Sequence, residues 1–353
     1  MVCAKRWMSI STYKLVQLGV ILPPILSVKD LEVAFLTKDG KVNAVNRISY
    51  TLDEGDTLGI VGESGCGKSV SALAMLRLLP TPPAKILGGE VLLQGQDLLK
   101  IPQSQMHTIR GGKIAMIFQD PMTSLNPVMT IGNQISEAVR VNLGLGAREC
   151  RDRAVEVLLQ VGIPRAVDRL ADYPHQFSGG MRQRVMIAMA ISCRPKLLIA
   201  DEPTTSLDVT IQAQIVDLVR RLQQELNMAV IWITHDLAVI ARIAKRVNVM
   251  YAGKIIEYGP VKRIFANPQH PYTMGLLGSL PHMNISSDQE LKFIEGAPPD
   301  MVRLPKGCYF APRCQFCSER CLTEQPALVS VGDQHEAACI RLPDIHARQL
   351  ASA

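Results

Sequence analysis

Eight consecutive residues, Gly62-Glu63-Ser64-Gly65-Cys66-Gly67-Lys68-Ser69, restrict this chain to few architectures. They follow an apolar strand candidate, Thr57 to Val61, and precede a helix expected over Val70 to Leu79. A strand that runs through glycines and lysine straight into a helix is a phosphate-binding loop. Gly62, Gly65 and Gly67 allow the backbone to curl until successive amides face one point, and the helix adds its positive dipole end there. The whole loop, including the amides of Glu63, Ser64 and Cys66, is therefore expected to line a nucleoside triphosphate. Lys68 supplies a cation for the outer phosphates, and the Ser69 hydroxyl is suited to Mg²⁺.

The rest of the chain is consistent with a large folded protein. Its 353 residues suffice for more than one domain, and 47% hydrophobic with 20% charged residues describes a globular composition. The net charge of +6 is spread out and forms no basic block, so it points to no nucleic-acid partner. No apolar run reaches the roughly 18 residues that a membrane-spanning helix needs. Lys5 and Arg6 precede an apolar stretch from Leu15 to Leu26, but Pro23 and Pro24 interrupt it and no small-residue cleavage site follows. This argues against export, and Met8 is the expected first residue.

Alternating apolar residues from Ser27 to Tyr50, around Lys38-Asp39-Gly40, predict an antiparallel hairpin. A further β segment is expected at Gly89 to Leu93 and a buried strand at Ile114 to Phe118. Helical spacing takes over between Thr130 and Gln160. Strand signals return at Leu197 to Ala200, Ala229 to Thr234, Val247 to Tyr251 and Lys254 to Tyr258, with helices expected over Thr210 to Asn227 and Leu237 to Ala244. Strands alternating with helices imply an α/β fold whose parallel sheet is covered on both faces. The expected division is an N-terminal extension at 1–26, a nucleotide-binding domain at 27–260 with a helical part near 120–195, a smaller domain at 261–345, and a tail at 346–353.

Asp201 and Glu202 follow the apolar run ending at Ala200. Ligands of open α/β sheets gather at the carboxyl ends of strands, which puts both carboxylates on the side where the phosphate loop emerges. Asp201 is suited to organise Mg²⁺ through its water shell, and Glu202 to polarise an attacking water. Ser178-Gly179-Gly180 opens another helix, Met181 to Ser192, and makes a second candidate anion site in a chain whose own nucleotide already has one.

Ser178-Gly179-Gly180 resembles the signature of ATP-binding cassette (ABC) proteins, in which two cassettes pack head to tail and each signature grips the nucleotide held by the other. The other marks of that family stand here in order. Gln119, in Ile117-Phe118-Gln119-Asp120-Pro121, matches the glutamine that touches Mg²⁺ and senses the membrane partner. Ser206-Leu207-Asp208 matches the loop crossing the dimer interface, with Asp208 near the nucleotide. His235, after Ile233-Thr234, matches the histidine that contacts the γ-phosphate, and Phe35 is assigned to adenine stacking. Met181 departs from the usual glutamine of the signature. The fold implied is a P-loop NTPase cassette with a parallel core sheet, an antiparallel β subdomain and a helical subdomain. The catalytic set implied is Glu202, His235 and Lys68, with Mg²⁺ at Ser69, Gln119 and Asp201. The resemblance also implies in-line attack of water on the γ-phosphorus, with two ATP molecules holding the cassettes together until hydrolysis.

Gly62 to Gly65, Phe118 to Pro127 and His270-Pro271-Tyr272-Thr273 are similar to the ATPase subunits of bacterial dipeptide and oligopeptide importers, over about nine tenths of the chain. That resemblance implies a protein peripheral to the cytoplasmic face of the inner membrane. Its partners would be two permeases, an external substrate-binding protein and a second, non-identical ATPase. Peptides are the expected cargo; nickel chelates, glutathione and other small solutes use similar ATPases. A soluble cassette acting on DNA or ribosomes is disfavoured, because only about 110 residues separate Lys68 from Ser178 and one motif set is present.

Cys308, Cys314, Cys321 and Cys339 are separated by five, six and seventeen residues, unlike the paired knuckles of most zinc sites. Their spacing leaves open a [4Fe-4S] cluster, Zn²⁺ or reduced structural thiols. Lys306, Arg313 and Arg320 are expected to favour thiolates. The same four positions resemble the cysteine tail of dipeptide-importer ATPases, and this implies the cluster; Cys317 is a substitute ligand or a buried thiol. The tail also permits a redox-sensing regulator with hydrolysis secondary. Cys3, Cys150 and Cys193 are isolated, and Cys66 contributes its backbone to the phosphate loop.

Overall fold

The computed structural model describes residues 23–205, 207–280 and 293–345. Cys3, Met8 and most of the expected N-terminal extension, Ser206 and the tail at 346–353 lie outside the described residues.

The main sheet is built on short, apolar, fully buried strands. β3 (Thr57–Val61), β7 (Leu197–Asp201) and β8 (Ala229–Thr234) have every residue buried, which suits strands covered on both faces. They pair in parallel with one another and with β6 (Ile114–Ile117) and β9 (Arg246–Tyr251), in the order β9-β3-β8-β7-β6. Each large side chain buried there contributes about 1.5–3 kcal/mol relative to exposure. Trp232 on β8 is fully buried among them. Parallel register brings the ends of β3 and β7 to the same side, so Gly62 and Glu202 leave the sheet together.

Antiparallel strands extend this parallel core. β10 (Lys254–Pro260) turns back on β9, because Ala252 and Gly253 both take positive φ and leave no room for a crossover helix. β11 (Val329–Gly332) and β12 (His335–Ala337) then continue the sheet from β10, so chain beyond residue 261 shares the main sheet. A separate four-stranded antiparallel sheet has the order β2-β1-β4-β5, with β1 Leu26–Thr37, β2 Gly40–Leu52, β4 Ala84–Leu93 and β5 Gln96–Asp97. The expected hairpin is β1 and β2, turning at 38–40, with three register shifts between Val28 and Phe35.

The helical segment splits in two at Gly144, which takes φ 65 and ends the helix Ile131–Leu143 before Ala147–Gln160 begins. Both pack on the helix Gly179–Ile191 through one apolar cluster that also includes Leu198 and Trp232.

Beyond β10 a buried polar knot fixes the next segment. Glu257 is fully buried and its carboxylate accepts bonds from the amides of Gln269 (2.7 Å) and His270 (2.9 Å) and faces His335 Nε2 at 2.8 Å. His270 Nδ1 accepts from the Tyr272 amide at 3.0 Å and caps the helix Pro271–Gly278. Burial pushes the His270 imidazole down to about 4 from its ordinary 6.5, with Glu257 pulling the other way. Protonation therefore favours the unfolded chain. The stability this histidine protects is present above about pH 6.5 and is lost as pH falls toward 4, by up to roughly 3 kcal/mol. Urea unfolding at pH 7 and pH 5 is expected to show a drop in wild-type protein that is markedly smaller in His270→Asn; equal drops would refute it.

Candidate functional site

The end of β3 delivers the phosphate loop into a tightly walled position. A Cβ at Gly62 would lie 2.2 Å from the Met250 carbonyl, and one at Gly67 would lie 2.2 Å from the Ala44 carbonyl. Gly67 also takes φ 102. These two positions therefore require glycine, because the loop is pressed between β9 and β2. The helix Lys68–Met75 starts directly after Gly67, earlier than its apolar residues suggested.

Lys68 is buried, and its Nζ donates to the carbonyls of Gly62 (2.7 Å) and Glu63 (2.9 Å). The lysine is thus folded back over the loop's own backbone. Ser69 Oγ donates to Asp201 Oδ1 at 2.9 Å. Burial pushes the Asp201 carboxyl up, while the Ser69 bond pulls it down and Glu202 adds like-charge repulsion. A divalent cation would relieve both the burial and the repulsion.

Glu202 takes φ 45, a left-handed conformation that costs a non-glycine residue roughly 1–2 kcal/mol. The turn aims its carboxylate across the cleft. There it accepts from Thr205 Oγ1 at 2.8 Å and Gln119 Nε2 at 3.4 Å, and lies 3.3 Å from His235 Nδ1. An open cleft of about 360 Å³ is lined by Ser64, Gly65, Gly67, Lys68, Ser69, Gln119, Glu202 and His235. Val70 and Thr205 complete its wall. Neither was singled out in the sequence, although a hydroxyl three residues after Glu202 was a usable signal.

Of the expected residues, Gly62, Glu63, Cys66 and Asp201 adjoin that lining in the chain without being part of it, and Phe35, Ser178 to Gly180 and Asp208 are not in it either. Phe35 sits half-buried on β1 opposite Val42, beside the register shift. Ser178 caps its own helix, its Oγ accepting from the Met181 amide at 3.3 Å. Asp208 likewise caps the helix Val209–Leu226 through the Ile211 amide at 2.9 Å. The two helix starts adjoin, since a Cβ on Gly180 would come within 2.9 Å of Ile211. Ser178 to Gly180 and Asp208 thus occupy one neighbourhood, apart from the cleft lined by Lys68. Near the cleft, half-exposed Phe118 borders an apolar groove of about 300 Å³ with Leu76, Leu125, Met186 and Met189.

The cysteines differ from expectation. Cys308 bonds through its amide to the Cys321 carbonyl at 2.8 Å, and Cys317 through its amide to the Cys314 carbonyl at 3.1 Å. Burial pushes the Cys308, Cys314 and Cys339 thiols up, Cys314 to about 12 and Cys339 to about 11, and repulsion from neighbouring cysteines adds to it. For Cys308, Cys314 and Cys339 this runs contrary to the expected effect of Lys306, Arg313 and Arg320. Burial outweighs the neighbouring cations, of which Arg313 and Arg320 are themselves engaged by Glu63 and Glu324. Cys317 is exposed rather than buried. Among the described residues no group of three or more His, Cys, Asp or Glu side chains is arranged to hold a metal ion. Cys308, Cys314, Cys321 and Cys339 therefore lie in one lobe but do not form a gathered ligand set for the expected iron-sulfur cluster or Zn²⁺.

Comparison with known proteins agrees with this geometry. Residues 45–205 match the ABC transporter family, and residues 256–321 match the oligopeptide/dipeptide transporter C-terminal region. A peptide import ATP-binding protein of Brucella melitensis is 50% identical over 334 residues, covering 92% of this chain and 99% of the relative. The chain belongs to the ATP-binding subunits of dipeptide and oligopeptide ABC importers. The oligopeptide transport ATP-binding protein OppD of Bacillus subtilis is also 50% identical, over 88% of this chain and 87% of its own. Among solved structures, a dimeric ATP-binding cassette in a post-hydrolysis state with ADP and Pi is 26% identical with a TM-score of 0.60. It covers 67% of this chain and 98% of its own. The cassette cbiO1 of Clostridium perfringens, part of an ABC transporter complex, is 28% identical with the same score, over 70% and 92%. This cassette is an ATPase with the ABC fold.

Proposed function

We propose that this cassette binds and hydrolyses ATP to drive import of di- or oligopeptides through a membrane ABC transporter. What supports the reading is the cleft lined by the phosphate loop, Gln119, Glu202 and His235, in a chain whose residues 256–321 match the oligopeptide/dipeptide transporter C-terminal region. A second ATPase, non-identical in the simplest reading, supplies the opposed face.

Loop amides from Gly62 to Ser69 cradle the phosphates, and Lys68 exchanges its two carbonyl partners for phosphate oxygens. Ser69, Gln119 and Asp201 would hold Mg²⁺, which when bound neutralises phosphate charge; the buried, raised Asp201 carboxyl beside the Ser69 hydroxyl fits that group. Glu202 orients the attacking water, and its bonds to Thr205, Gln119 and His235 hold it until ATP enters. His235 then faces the γ-phosphate. Ser178, Gly179, Gly180 and Asp208 serve the nucleotide of the partner cassette, and Phe35 the adenine. The apolar groove at Phe118 suits a cytoplasmic helix of a permease, with Gln119 next to it reporting occupancy.

No described helix is long and apolar enough to cross a membrane. We place the cassette at the cytoplasmic face of the inner membrane through two permeases, with a substrate-binding protein outside. For the cysteine lobe we propose a [4Fe-4S] cluster, or Zn²⁺, on Cys308, Cys314, Cys321 and Cys339. The thiols supply the donor type but need regathering, and no step of hydrolysis is routed through them. Iron, sulfide and zinc analysis of anaerobically purified protein tests this.

The test of cargo is reconstitution of the complete transporter in liposomes. Di- and oligopeptides are expected to stimulate ATP turnover severalfold. Stimulation by a nickel chelate or glutathione alone would replace the peptide reading, and full activity without permeases would favour a soluble regulator.

A further inference from the structure

Arg313 lies between Phe310 and Cys314 in the cysteine lobe, 250 residues from the phosphate loop, yet its guanidinium grips that loop directly. Nη1 donates to Glu63 Oε2 at 2.7 Å and Nη2 to Glu63 Oε1 at 2.9 Å. This bidentate pair has fixed geometry as well as charge. The Arg313 side chain is only 5% exposed. Its remaining donors are used as well, Nε reaching the Glu295 carbonyl at 3.0 Å, while the rings of Tyr251 and Phe310 both lie 5.9 Å from the guanidinium carbon.

Glu63 is held at three points. Its amide donates to the hydroxyl of fully buried Tyr272 at 2.8 Å, its carbonyl accepts from Lys68, and its carboxylate is locked by Arg313. Two of these holds come from residues beyond 260, which the nucleotide cleft does not touch. A loop that cradles phosphates with amides works only if those amides stay within about 0.5 Å of their places.

We propose that Arg313 is a positioning residue for ATP binding: through Glu63 it fixes the phosphate loop, and so ties the cysteine lobe to nucleotide affinity. The side chain itself remains remote from the phosphates. Arg313 differs in this from Lys68, which sits on the cleft side of the same residue. The proposal rests on the ATP reading above. Failure of that reading would appear as no Mg-ATP binding by wild-type protein, whereas failure of this inference leaves wild-type affinity in the variants.

The experiment uses full-length protein and Mg-ATP titration by calorimetry, with steady-state kinetics in the assembled transporter. Glu63→Gln, Arg313→Gln and Arg313→Lys are each expected to weaken Mg-ATP binding about tenfold and raise KM similarly, with kcat within about threefold. Glu63→Gln with Arg313→Gln is expected to be no worse than the poorer single variant, because one contact is lost either way. A purely structural role would lower the yield of folded protein and leave the affinity of the folded fraction unchanged. Wild-type affinity in Glu63→Gln, or losses that add in the double variant, would overturn the proposal. Glu63→Gln keeps the shape of the side chain and decides the matter even if Arg313→Gln does not fold.

Discussion

Glu202→Gln is expected to lower ATP turnover by about 10²- to 10³-fold in the assembled transporter while leaving Mg-ATP binding within about threefold of wild type. The substitution keeps the shape of the side chain and its Thr205 contact, so the left-handed backbone at 202 is not disturbed. What it removes is an acceptor strong enough to polarise water against the γ-phosphorus. With binding intact and hydrolysis blocked, two cassettes should remain closed around uncleaved ATP. Rapid-quench turnover together with the dimer fraction on size exclusion in Mg-ATP checks both halves of the expectation. Turnover within a few fold of wild type would transfer the role of base to another group, with His235, 3.3 Å from the carboxylate, the first to examine.

The parts of this site that were legible in sequence are those encoded by one strand and the turn that follows it. β3 with Gly62 to Ser69, and β7 with Asp201 and Glu202, each combine a buried apolar run with polar residues at its carboxyl end, so local pattern fixed their placement. Contacts that join distant segments left no periodic trace. Arg313 reads as one basic residue in a cysteine-rich tail, and nothing around it announces a bidentate partner 250 residues earlier. The cysteine electrostatics were not legible for a related reason: burial, which raises Cys308, Cys314 and Cys339, is set by the fold, and folding also commits Arg313 and Arg320 to carboxylates. β11 and β12 were also missed, because the residues of β11 are exposed or half-exposed and β12, though its ends are buried, is only 3 residues long. Ser178 to Gly180 was legible as a helix start, and Ser178 caps that helix. The Phe35 assignment depended on an exact register in a strand whose pairing shifts three times.

Lys68→Ala is expected to weaken Mg-ATP binding by about a hundredfold, with hydrolysis lost at cellular ATP concentrations. Charged hydrogen bonds contribute about 1.5–3 kcal/mol each, and Lys68 can offer its ammonium to more than one phosphate oxygen. The side chain is already buried and aligned, its Nζ satisfied by Gly62 and Glu63 carbonyls, so ATP needs only to replace those acceptors. Removing it leaves the loop backbone without its internal tie as well as the site without its cation. Both losses act on binding, whereas Glu202→Gln acts on the chemical step, and the pair therefore separates the two functions of one cleft. Calorimetric titration measures the affinity, and the ATP-induced rise in Tm, clear in wild type, should vanish in Lys68→Ala at the same ligand concentration. Affinity within threefold of wild type would mean that the amides alone hold the phosphates, and that Lys68 serves the loop rather than the nucleotide.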